Sequence, residues 1–108
     1  MPTEIALATE FFAPVRTGRK TQTTRRGRRD VALGPARFSD DAGNVQLINV
    51  DRVSYLRFRD LETADAVKDG FASKDELRDA MVKFYPDFSD DEEVTIIIFT
   101  PALDYLER

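Results

Sequence analysis

Hydrophobic and polar positions follow two rhythms along the chain. Over Val45–Tyr55 the period is two. Val45, Leu47, Asn49, Val53 and Tyr55 fall on one face of an extended segment, and Gln46, Ile48 and Val50 on the other. The run is long for one strand, so a bend or bulge is expected within it. Between Leu77 and Phe84 the period is helical, with Leu77, Ala80, Met81 and Phe84 at i, i+3, i+4 and i+7. Ser73-Lys74-Asp75-Glu76 reads as a capping box at the start of that helix. Tyr85-Pro86 ends it, because a residue before proline avoids helical geometry. A shorter helix is predicted over Leu61–Asp69, with Gly70 as its stop. The unbroken apolar run Val94–Phe99 predicts a strand buried on both faces, ended by Thr100-Pro101.

Shorter elements fill the rest. Ile5–Thr9 suits a strand. Glu10–Thr17 suits a single helical turn stopped by Gly18, with Pro14 tolerated near its first turn. Thr21–Arg25 is β-branched and reads as a strand, followed by a basic turn around Gly27. Val31–Phe38 reads as an edge strand broken at Gly34-Pro35, and Asp40–Asn44 as a turn. Asp87–Glu93 is an acidic loop, and Ala102–Arg108 a peripheral tail. The total is about five strands with two to three helices. Most strands follow one another without a helix between them, so the expected class is α+β, a small β-barrel with flanking helices.

Composition narrows the chemistry. A chain of 108 residues without repeats or a low-complexity linker predicts one domain, residues 1–108. No apolar run is long enough to span a membrane and no leader pattern opens the chain, so a cytoplasmic protein is expected. There is no Cys and no His, which removes thiol nucleophiles, zinc–thiolate sites, histidine bases and Ser-His-Asp triads. Chemistry is left to Lys, Asp, Glu, Tyr, Ser and Thr, or to an all-oxygen metal site.

Charge is unevenly spread. The first 29 residues hold seven bases and two acids, and the remainder nine bases and eighteen acids. Those seven bases run from Arg16 to Arg29 with no acid among them. Such a stretch reads either as an anion or nucleic-acid footprint, or as charges that pair with the acidic half. The acids of Asp87–Glu93 lack the spacing of a calcium loop and read as solvated.

One stretch carries a resemblance. Gly18-Arg19-Lys20-Thr21-Gln22-Thr23-Thr24-Arg25 resembles the G-x-K-x-x-T-x-R signature of the ASCH superfamily. Arg37-Phe38-Ser39-Asp40-Asp41 with Gly43, Asp69-Gly70-Phe71 ahead of the Ser73 helix, and Ile96-Ile97-Ile98-Phe99 resemble its later motifs in the same order. The similarity spans residues 11–99 and implies a PUA-like barrel. Within the superfamily the chain is most similar to the small bacterial amidohydrolases that deacetylate N4-acetylcytidine. That resemblance implies Lys20 as general base, Thr23 as nucleophile and Asp69 as proton donor, with no metal or cofactor. Asp69 stands where those enzymes have Glu, and Arg29 where they have Gly. Arg19, Arg25, Phe71 and Tyr85 are the candidate substrate-binding residues, for a modified pyrimidine nucleoside.

The residues permit that chemistry under two conditions. Lysine must be neutral to act as a base, so its pKa of about 10.4 must fall through burial and nearby positive charge. Arg19 and Arg25 would help, and a carboxylate in contact would oppose it. Lys20 and Thr23 are three residues apart and would face opposite sides of a regular strand. They converge only if Gly18–Thr21 is a turn feeding the strand. A different function class competes, an RNA-binding module with or without ribonuclease activity, using the Arg16–Arg29 run as a phosphate track.

Overall fold

The computed structural model describes residues 3–102, so the expected tail after Ala102 lies outside the described residues. The elements in chain order are β1 (Thr3–Ala6), α1 (Phe12–Arg16), β2 (Gln22–Arg26), β3 (Gly34–Ser39), β4 (Val45–Arg57), α2 (Thr63–Lys68), α3 (Lys74–Phe84) and β5 (Glu93–Pro101). Two 3-10 turns, Thr9–Phe11 and Phe58–Asp60, lead into α1 and toward α2.

The strands form one curled sheet in the order β1-β3-β4-β5-β2. β1 runs parallel to β3, and the other pairs are antiparallel. The sheet is a half-barrel with three flanking helices, the α+β, PUA-like architecture that the pattern and the resemblance predict. β1 and β2 are its two edges. Closure at one point comes from a side chain, because Arg25 on β2 donates through Nη1 to the Ala6 carbonyl of β1 at 2.6 Å.

The long strand is bulged, as its length predicts. Its register against β5 shifts between Val50 and Arg52. The bulge corrects the straight-strand reading of its faces. Gln46, Ile48 and Val50 are buried while Val45 and Leu47 are exposed, and after the extra residue Val53 packs with the Ile48 and Val50 set. β5 is a central strand buried on both faces. Ile97 and Phe99 join Phe38, Ile48 and Val50 inside the curl, whereas Val94 and Ile96 meet Phe58, Leu77 and Met81 of the helical layer. Two apolar clusters therefore share one strand.

Several boundaries differ from the predicted ones for local reasons. β1 stops at Ala6, and β3 starts at Gly34, three residues later than its apolar run suggests. α2 begins at Thr63, because Leu61 is extended and buried and because Glu62 and Asp65 form a reciprocal capping box. At α3 the box is looser. Ser73 accepts from the Glu76 amide at 3.2 Å, while the Glu76 carboxylate reaches one residue further back, to the Ala72 amide.

Ile97 is 1% exposed and Leu47 is 41% exposed on the outer face of β4. Ile97→Ala is expected to cost about 2–5 kcal/mol, and Leu47→Ala about 0.5 kcal/mol or less. Urea midpoints at unchanged slope check this. Equal losses would mean that the curl does not hold the core described here.

Candidate active site

Lys20 is 2% exposed and has no place in a strand. Three backbone features bring it in. α1 ends at Arg16, and Gly18 at φ 80° takes the left-handed position that turns the chain back. The Lys20 amide then donates to the Pro14 carbonyl at 3.0 Å, and the Thr21 amide to the Lys68 carbonyl at the end of α2 at 2.7 Å. This is the turn that convergence with Thr23 requires, and β2 starts only after it.

Asp69 follows α2 as its C-cap and is also 2% exposed. Its carboxylate forms an ion pair through Oδ1 with Lys20 Nζ, which also donates to the Asp69 carbonyl at 3.0 Å. Asp69 Oδ2 accepts from the Thr24 hydroxyl at 2.7 Å. Gly70 follows at φ 92°, a left-handed conformation that residues with a Cβ rarely adopt, and packs against the lysine stem. The lysine head lies 4.9 Å from the Phe11 ring centroid and 5.8 Å from that of Phe71, with the two rings edge to face. The pair is thus boxed between apolar faces.

Burial sets the electrostatics. It pushes the Lys20 ammonium pKa down, offset in part by Asp69 and reinforced by the Arg25 charge. It pushes the Asp69 carboxyl up, against the pull of Lys20, Thr24 and Arg25. Both groups move toward neutrality, so a base and an acid share one hydrogen bond in the same dry corner. The carboxylate is in direct contact with the lysine, and desolvation still outweighs its charge.

A cavity of about 550 Å³ opens beside this pair, within the size range of small-molecule sites. It runs along the free edge of β2, where Lys20, Thr23, Thr24, Arg25 and Asp69 line it. Phe71 and Tyr85 line its helical side, and Ala6–Thr9, Asp40 and Asp41 close the side toward β1 and the β3–β4 turn. The helical stripe of α3 lines the cavity throughout, with Leu77 and Met81 buried in the core beneath it and Phe84 48% exposed.

Six of the seven candidate residues meet at this cavity: Lys20, Thr23, Asp69, Arg25, Phe71 and Tyr85. Arg19 does not; it is exposed and outside the cavity wall. Thr23 is buried, and its hydroxyl has no hydrogen-bond partner among the described residues. The threonine that touches Asp69 is Thr24, which the sequence reading passed over. Thr24 shares a face of β2 with Gln22, which likewise reaches the α2 side, donating to the Asp65 carbonyl at 3.2 Å.

Part of the basic run resolves into pairs. Arg26 binds Asp87 and Glu92, and its guanidinium lies 5.4 Å from the Tyr85 ring centroid. Arg28 pairs with Glu93 and covers the Tyr55 ring at 4.0 Å. The acidic loop is accordingly arginine-bound rather than simply solvated, since Asp90 and Asp91 hold Arg78 and Arg59 as well. Among the described residues no three acidic groups converge as metal ligands, and no helix is long and apolar enough to cross a membrane.

No family model matches the chain, and no curated protein matches it in sequence. Its fold does have counterparts among solved structures. An ASCH domain from Lactobacillus crispatus JV V101 is similar with a TM-score of 0.74 at 16% identity, over 92% of this chain and 79% of that one. A protein from Enterococcus faecalis V583 is similar with a TM-score of 0.71 at 15% identity, over 94% and 80%. ZmASCH from Zymomonas mobilis, in a mutant form, is similar with a TM-score of 0.62 at 22% identity, over 91% and 70%. At these identities the shared feature is the fold, and it is the ASCH-domain fold that the motif order predicts.

The shifted pair gives folding stability a pH signature. With Asp69 raised above its ordinary 3.8, the folded chain keeps a proton that the unfolded chain releases, so this contribution is lost as pH rises through the folded value. With Lys20 lowered from 10.5, the folded chain sheds a proton that the unfolded chain keeps, so stability recovers as pH climbs toward 10.5. The pair thus produces a stability minimum between the two. Relative to wild type, a Lys20→Met/Asp69→Leu double variant is expected to gain most in that middle range and least at its ends. Asp69→Leu alone should cost about 3–5 kcal/mol by leaving the lysine unpaired. Chemical unfolding across the pH range checks both, and a flat difference curve would remove the burial argument.

Proposed function

We propose that this protein is an amide hydrolase that removes the N4-acyl group from acylated cytosine compounds, with N4-acetylcytidine as its reference substrate. The observation that carries the reading is a lysine buried to 2% exposure, depressed in pKa, on the wall of a cavity it shares with a partnerless threonine hydroxyl. Burying an amine is costly, and an exposed structural role would not require it.

In this reading Lys20 in its neutral form takes the Thr23 hydroxyl proton as the oxygen attacks the acyl carbon. The C–O bond forms and the carbonyl electrons move to oxygen. The positive charge that Lys20 gains, together with the field of Arg25 from the same cavity wall, stabilises that oxyanion. As the C–N4 bond breaks, protonated Asp69 gives its proton to the leaving amine, which departs as cytosine or cytidine. Lys20 can return its proton to Asp69 along their hydrogen bond. A water molecule then cleaves the acyl-threonine by the same route in reverse. Thr24 acts on this cycle by holding Asp69 Oδ2. Phe71 and Tyr85 offer aromatic walls for the pyrimidine ring.

The competing reading, an RNA-binding module, has less of the basic run to draw on, because Arg26 and Arg28 already face carboxylates. Arg16, Arg19 and Arg29 are exposed and have no carboxylate partner among the described residues, so such a surface would rest on them. Its signature is RNA affinity that falls steeply with salt.

The test is turnover of N4-acetylcytidine followed by the ultraviolet change as cytidine appears. Thr23→Ala and Lys20→Ala are expected to lose about a thousandfold or more in kcat. Thr24→Val should lose about tenfold and move the acid limb of the pH profile, because Asp69 loses a hydrogen bond that favours its charged form. Wild-type rates in both the Thr23 and Lys20 variants would overturn the assignment. No turnover by folded protein, with salt-dependent RNA binding, would favour the module.

A further inference from the structure

Arg25 and Arg29 present positive charge beside the cavity that no carboxylate pairs with among the described residues. Arg25 spends one of its five N–H groups on a neutral carbonyl, Ala6, at 2.6 Å. Arg29 donates to the Arg26 carbonyl at 3.3 Å and to the Tyr85 hydroxyl at 3.2 Å. The contrast with Arg26 and Arg28, each held by a carboxylate, is local and sharp. Tyr85, having accepted from Arg29, keeps its own hydroxyl proton to donate, and it lines the cavity. Arg25 lines both this cavity and a second of about 190 Å³, whose wall includes Arg29 and the β1 edge. The two hollows share Arg25 and Ala6 in their walls.

Holding two guanidinium groups near one another in a partly dry setting is unfavourable. Burial and the Arg29 charge both push the Arg25 pKa down. A bound anion would relieve that repulsion and use the spare donors. Two forked guanidiniums and a phenol form a donor set that suits a tetrahedral oxyanion. We propose that Arg25, Arg29 and Tyr85 form a phosphate subsite, so that the substrate is an acylated cytidine nucleotide rather than the free nucleoside. This rests on the amide-hydrolase reading for the identity of the base, while the subsite itself rests on the donor set alone.

The experiment compares N4-acetylcytidine with its 5′- and 3′-monophosphates, in the wild-type protein and in Arg29→Gln. In parallel, binding of cytidine, its two monophosphates and inorganic phosphate is measured by calorimetry. Arg29 is exposed and its backbone contacts are untouched by the substitution, and matched melting curves confirm folding. Expected is a kcat/KM about tenfold or more higher for one monophosphate than for the nucleoside, corresponding to a net charge-assisted contact. Arg29→Gln should erase that preference and leave nucleoside turnover unchanged. Equal turnover of nucleoside and nucleotides would overturn the subsite and leave the hydrolase reading standing. Tighter binding of a monophosphate than of cytidine, lost in Arg29→Gln but without turnover, would support the subsite and overturn the hydrolase reading. Neither turnover nor binding would overturn both.

Discussion

The constraint on which this molecule turns is the buried ion pair between Lys20 and Asp69. Two charged groups at 2% exposure carry a large desolvation cost, which the surrounding chain must offset. It does so by tying both residues down on every side. Pro14 and Lys68 accept the backbone amides of Lys20 and Thr21, Thr24 donates to the second carboxylate oxygen, and Gly70 takes the left-handed position that turns the chain directly after Asp69. The pair thereby joins the α1–β2 turn to the end of α2, more than forty residues further along the chain. The same desolvation that makes it costly moves both groups toward neutrality, which is what an acid and a base at neutral pH require.

The second organising feature is incomplete closure. A five-stranded sheet that curls without joining its edges leaves two rows of unpaired backbone groups. Here β1 and β2 are the edges, and the space along β2 becomes the cavity. Arg25 spans the gap to Ala6, so a residue of the signature also ties the barrel together. Its dual position explains why it remains without a carboxylate while its neighbours Arg26 and Arg28 have found theirs.

The acidic and basic stretches of the chain are in large part each other's partners. Arg26 and Arg28 meet Asp87, Glu92 and Glu93, more than sixty residues away in sequence. Exposed pairs of this kind contribute little singly, and here their effect is to seat the loop before β5 against the turn after β2. They leave Arg25 and Arg29, unpaired among the described residues, as positive charge beside the cavity, where an anionic group would be attracted.

Periodicity along the chain was enough to show five strands, a bulged β4, a two-sided β5 and an amphipathic α3, because each depends on neighbouring residues and on local steric rules. The ordered motifs were enough to indicate the ASCH-type barrel and to bring Lys20, Thr23 and Asp69 forward as a set. Boundaries slipped where a tertiary contact outweighed local pattern, as at Leu61, whose burial holds it out of α2. Arg19 carries the same charge as Arg25, and nothing in one dimension separates the exposed one from the one that closes the barrel. Thr24 was obscured by Thr23 for a similar reason: which threonine meets the acid depends on where the strand begins after the Gly18 turn. Desolvation was beyond the sequence altogether. Lys20 and Asp69 are 49 residues apart, and only the folded chain excludes water from both at once.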